Sequence, residues 1–128
     1  MKVLASLLVV ATALASGRGY AACVYPKAPD KLPDGSTATK DEMIAAQKLV
    51  RGYNDDIKAY QDCLKTEYED HMKADAGKPE KERMTKEQKD ELNKVTVQKS
   101  NAAVDEAEAV TGRFNEQIRV FNAKAKKS

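Results

Sequence analysis

Tryptophan is absent from the 128-residue sequence, histidine occurs once, and cysteine and phenylalanine occur twice each. Each scarcity removes a class of function. A zinc centre takes three or four nitrogen, sulfur or oxygen ligands in a fixed geometry, and one histidine cannot build it with cysteines that are engaged elsewhere. A cysteine nucleophile needs a base beside it. His71 lies eight residues beyond Cys63, about 12 Å along a shared helix, too far for a hydrogen bond. His71 reads as a helix-surface residue. No G-x-S-x-G, Walker loop, dinucleotide fingerprint or EF-hand loop occurs. Neighbouring acids such as Asp55-Asp56 and Glu69-Asp70 point apart on a helix and read as solvated faces. The sequence therefore predicts a protein without catalytic residues, cofactor or metal.

Long apolar runs are scarce too. The one that stands out is residues 3–15, VLASLLVVATALA, behind Lys2. A membrane span takes about 20 apolar residues, and this run ends at Ser16-Gly-Arg. It reads as a secretory signal peptide over residues 1–21. Cleavage after Ala21 puts Gly19 and Ala21 at the small-residue positions, with Arg18 a departure from the usual uncharged pattern. Export changes the charge balance. The chain carries 22 bases and 20 acids; without Lys2 and Arg18 it carries 20 of each. A neutral mature chain has no electrostatic case for nucleic acid or anionic membrane. A protein partner or self-association is the expected kind of interaction, with no stable membrane insertion unless Cys23 is lipidated.

Cys23 follows the predicted cleavage site and precedes a proline-rich run, YAACVYPKAP. Lipid attachment would want an aliphatic residue three positions earlier, where Tyr20 stands. That leaves a lipid-anchored protein as the alternative localisation. In an oxidising exported compartment the default is the one available pairing, Cys23 with Cys63. The bond closes a loop of about 40 residues and is worth on the order of 3–4 kcal/mol in the chain-entropy model.

Prolines at 26, 29 and 33, followed by the turn signal Pro33-Asp34-Gly35, predict an extended arm over residues 22–39 with no helix or ladder of its own. A capping box, Thr39 with Glu42, then opens a helix. Met43, Ala46, Val50, Tyr53, Ile57, Tyr60 and Leu64 follow at spacings of three and four, the seam of a coiled-coil-like helix. Glu67 and His71 take the next seam positions, so the apolar contact fades there. Gly77 and Pro79 predict the stop, giving a helix from Lys40 to Ala76. A second helix starts between Pro79 and Thr85, which with Gln88 makes another capping box. Its stripe is Leu92, Val95, Ala103, Ala107, Val110, Phe114, Ile118 and Phe121. It runs to about Lys124, which sets a hairpin domain at 40–125 and a basic tail at 126–128.

Two long helices joined by a short turn pack as an antiparallel hairpin. With the turn centred near Lys78, facing residues have numbers summing to about 156. Leu64 then meets Leu92, Tyr53 meets Ala103, Val50 meets Ala107 and Ala46 meets Val110, large against small. The arm reaches too. Polyproline II spans up to about 50 Å from Thr39 back to Cys23, while Cys63 lies about 35 Å along the helix. Val24 and Tyr25 would then cover part of the hairpin groove. The same register sends Ile118 and Phe121 beyond the start of the first helix. Phe114, Ile118 and Phe121, flanked by Arg113 and Arg119 within RFNEQIRVF, thus form either a candidate partner contact or a strip covered by the arm near Leu32.

The pattern Cys23-x-Tyr25-Pro26, Pro33-Asp34-Gly35, Glu42-Met43, Ala46-Gln47, Val50, Tyr53, Tyr60 and Cys63-Leu64 resembles that of small exported proteobacterial proteins of unknown function. The resemblance spans about residues 23–64 and implies a periplasmic or envelope location. The sequence reads as an all-α protein: a long antiparallel helical hairpin with an extended proline-rich N-terminal arm stapled by a disulfide. Its expected role is that of an exported binding or structural protein of the bacterial envelope, periplasmic or secreted, rather than an enzyme. A periplasmic holdase sheltering apolar segments is the alternative.

Overall fold

A computed structural model describes residues 22–127. The predicted signal peptide, residues 1–21, lies outside the described residues. Two long helices dominate: α1, Lys40–Ala76, and α2, Lys86–Lys127. They are joined by a connection holding one 3-10 turn, Glu80–Glu82. The two helices pack against each other along their length as a hairpin.

The first capping box forms as read. Thr39 Oγ1 accepts from the Glu42 amide at 3.2 Å, and Glu42 Oε2 accepts from the Thr39 amide at 2.7 Å. Two donors at the helix start are thereby met, and the amide of Thr39 holds the Glu42 carboxyl below its ordinary range. At the other end the cause of termination is Pro79. Gly77 has right-handed backbone, φ −78°, so its left-handed freedom is unused. A residue before proline is driven out of the helical region, and Lys78 fills that position.

The start of α2 falls at the second capping box. Thr85 Oγ1 accepts from the Gln88 amide at 3.2 Å and Gln88 Oε1 accepts from the Thr85 amide at 2.9 Å. Pro79 instead leads into the 3-10 turn. At its far end α2 continues through Lys127, so residues 126 and 127, placed in a tail from the sequence, are helical.

This longer connection moves the register. Gln61 hydrogen-bonds Ser100 and Asn54 hydrogen-bonds Thr111 across the hairpin, pairs whose numbers sum to 161 and 165. The helices are antiparallel, but the pairing is displaced by at least a helical turn from that expected for a turn at Lys78. The composition of the seam survives the shift. Met43, Ala46, Val50, Tyr53, Ile57, Tyr60 and Leu64 are buried on α1, and Ala103, Ala107, Val110 and Phe114 on α2. Leu92 and Val95, nearer the tip, are half-buried.

Where the apolar seam fades, one acid holds the tip. Asp75 is 2 % exposed. Its Oδ1 accepts from the Met84 amide at 2.7 Å, and its Oδ2 stands 3.2 Å from the Lys89 ammonium. The Met84 N–H holds the carboxyl below the usual carboxylate range. Burial opposes that effect only in part, and the nearby Lys89 ammonium adds to the lowering. A depressed acid stabilises the fold above its unfolded pKa of about 3.9 and loses that contribution as pH falls through the lower folded value. We expect Asp75→Asn to lower the melting temperature by a constant amount between pH 5 and 8, the gap closing as pH falls below about 4. A gap that stays constant down to pH 2 would show that the carboxylate charge is not what holds the tip.

Candidate functional site

Residues 22–39 contribute no helix or strand; they hold a turn at residues 35–37 and otherwise irregular backbone. The segment crosses the hairpin and is fixed at both ends. Cys23 is bonded to Cys63 of α1, with Cα atoms 5.8 Å apart, so the sequence-predicted pairing is present. Two residues on, the Tyr25 ring meets the Tyr60 ring edge-on at 5.1 Å between centroids. Its hydroxyl reaches across to α2 and donates to Glu106 Oε2 at 2.6 Å. That hydrogen bond, with some burial, pushes the Tyr25 pKa far above the ordinary tyrosine value. Val24 turns outward, 84 % exposed, and so does not cover the groove as expected from the sequence.

Further along, Ala28 and Leu32 are half-buried against the core. The turn is built by Asp34. Its Oδ1 accepts from the Ser36 amide at 2.8 Å and from the Ser36 hydroxyl at 2.6 Å, and these bonds hold the carboxyl below its usual range. The Asp34 carbonyl accepts from the Ala38 amide at 2.8 Å. The turn is then pinned to α2, where Gly35 N–H donates to Gln117 Oε1 at 2.8 Å and Lys124 Nζ donates to the Ala38 carbonyl at 3.0 Å. By contrast, no backbone–backbone hydrogen bond ties residues 22–33 to either helix.

Tyr53 lies in the seam next to this crossing. It is 3 % exposed, and its hydroxyl finds no hydrogen-bond partner among the described residues. Burial raises its pKa, with Glu106 adding to the rise and Arg113 opposing it.

The stretch singled out from the sequence turns inward. Phe114 is a core residue, and Ile118 and Phe121 are half-buried against the same core. They line a depression with Lys40, Met43, Ile44 and Gln47, opposite the first turns of α1 instead of beyond them. Phe121 also carries Lys124 above its ring at 5.2 Å. Arg119 pairs with Glu116, and Arg113 borders a surface groove of about 690 Å³ beside Pro29, Leu32 and Pro33. The shifted register explains why the apolar three do not overhang. His71 is exposed on α1, as read.

The polar partners Glu106, Gln117 and Asp75 carried no local signal of their pairing except one. An acid in the last turn of a helix opposes the dipole, and Asp75 does so. Compared with protein-family models, curated proteins and solved structures, the chain matches none.

Proposed function

We propose that the chain is an exported, non-enzymatic binding or structural protein of the bacterial envelope, a hairpin whose proline-rich arm, residues 22–39, is stapled across it. The observation that carries the reading is the Cys23–Cys63 bond. Disulfides persist in oxidising compartments and are rare where thiols are kept reduced. The apolar run ahead of the arm supplies the means of export. A sulfur engaged in a disulfide has no valence left for a thioether-linked lipid, which favours release into the periplasm or medium over anchoring at Cys23. In this reading the exposed flanks of the two long helices are where a partner would bind.

The test is the intact mass, without reductant, of the protein recovered from its native host, with iodoacetamide to count thiols. A chain that starts at Ala22 and takes up no label supports the proposal. A start at a lipidated Cys23 with Cys63 free to alkylate would overturn it.

A further inference from the structure

The arm occupies one flank of the hairpin and leaves the other bare. Its bonds fall on Cys63 of α1 and on Glu106, Gln117 and Lys124 of α2, and the depressions along its edges add Ala45, Leu49, Asp56 and Ala59. On α1 these positions recur at three, four and seven along one side of the seam. The other side carries Ile44, Gln47, Asn54, Lys58 and Gln61, while on α2 Val97, Val104, Thr111 and Ile118 recur at every seventh residue. Two depressions lie along this bare flank. One of about 180 Å³ includes Ile44, Ile118 and Phe121, one of about 430 Å³ includes Lys58, Val104 and Glu108, and no arm residue lines either. Ile44 and Val97 are large apolar residues left exposed. The charged residues lining the two depressions are Lys40, at the first position of α1, and near the middle one of each sign, Lys58 and Glu108. Lys58 and Glu108 are exposed, and among the described residues neither makes an ion pair.

We propose that this flank is the contact face of a homodimer, in which two hairpins pack as a four-helix bundle. The proposal rests on the binding reading above and makes the partner a second copy of the chain. Levels along the hairpin decide the arrangement. Asn54 bonds Thr111, so residues whose numbers sum to about 165 stand level, and Ile44 with Phe121, Gln47 with Ile118 and Lys58 with Glu108 all meet that register. A two-fold axis parallel to the helices lays α1 of each copy on α2 of the other at one level. Lys58 then meets Glu108 of the partner subunit, twice by symmetry, and Ile44 enters the depression beside Phe121 of the partner subunit. An axis across the helices would instead stack α1 on α1 and bring Lys58 towards its own copy, which repulsion disfavours. The charges thus select one dimer. From Lys40 to the level of Val97 the flank measures about 35 Å by about 20 Å, an outline of about 700 Å² before the relief of its side chains is counted. A stable interface of standard size takes about 800 Å² from each partner, so the area suffices.

The experiment is sedimentation equilibrium of the purified mature chain, disulfide intact, at about 10 and about 100 µM. The mass should approach that of a dimer at the higher concentration. Lys58→Glu and Glu108→Lys each set like charges together at both symmetry-related sites, and each should weaken association at least about tenfold. Mixed in equal amounts, the two variants bring opposite charges together again at both sites. The mixture should therefore dimerise as the unaltered chain does. Both residues are exposed, so the helical circular dichroism of each variant should match that of the unaltered chain, and recovery in the mixture separates lost contact from lost fold. A monomer at about 100 µM, a dimer indifferent to both substitutions, or variants that stay monomeric when mixed would each overturn the proposal. None of these readouts depends on export, so they fail separately from the intact-mass test.

Discussion

Reducing the Cys23–Cys63 bond is expected to lower the melting temperature by about 15 °C while leaving the helical circular dichroism at 25 °C intact. The bond joins residues 40 apart in sequence, and a loop of that length gives about 4 kcal/mol in the chain-entropy model. For a domain of about 100 residues each kcal/mol moves the midpoint by about 4 °C. The effect acts mainly on the unfolded chain, which regains the freedom the loop denied it. The native hairpin is expected to keep its seam, because the helices themselves supply most of the core, Met43 through Leu64 on α1 and Ala103 through Phe114 on α2. What the folded state loses is local. Residues 22–33 have no backbone hydrogen bonds to hold them, so Tyr25 leaves Tyr60 and Glu106 when the staple opens. A coupling follows: Tyr25→Phe should lower the midpoint of the oxidised chain and leave that of the reduced chain unchanged. Melts with and without dithiothreitol, on both variants, test this. A shift under 3 °C on reduction would mean that the bond adds nothing to the fold.

Much of the architecture could be read in advance because it is written in local spacing. The alternation of three and four from Met43 to Leu64 and the Thr39–Glu42 box define α1, and the buried residues are the ones the period selects. The disulfide was readable because two cysteines allow a single pairing. What failed is what depends on the connection. The sequence offers the stretch between Pro79 and Thr85 for the start of α2, and the register it predicts depends on a turn at Lys78. The second capping box won, and the added residues of the 3-10 turn shifted each pairing. Ile118 and Phe121 therefore moved from an overhang into contact with the core. Cross-helix partners such as Tyr25 with Glu106 need the register first, and no run of neighbouring residues marks them. Gly35 is the sharpest case. The sequence identifies it as part of a turn but says nothing of the helix against which that turn rests.

Gly35→Ala is expected to destabilise the protein by about 2–3 kcal/mol, the scale of overpacking a site that cannot yield. Gly35 is buried, and its φ is not positive, so the requirement is space and not backbone freedom. A Cβ there would lie 2.9 Å from the Phe121 nitrogen and 3.0 Å from the Gln117 carbonyl carbon, and closer still to the Gln117 oxygen. All three are main-chain atoms of α2, and no side chain can rotate out of the way. Relief requires the turn to lift, which breaks the Gly35–Gln117 bond and draws the Ala38 carbonyl away from Lys124. Thr39, the N-cap of α1, is the next residue, so the strain reaches the helix start. Two other glycines supply the control. Gly52 and Gly112 lie inside helices with open space where a Cβ would go, and alanine there should stabilise by about 0.5–1 kcal/mol each. Urea titrations of the three variants read the contrast directly. Gly35→Ala matching Gly52→Ala in sign would mean that the turn does not rest on α2. The opposite signs expected here would establish that residues 34–38 are held against the end of α2 by close approach of backbone to backbone, a pin independent of the disulfide at the other end of the arm.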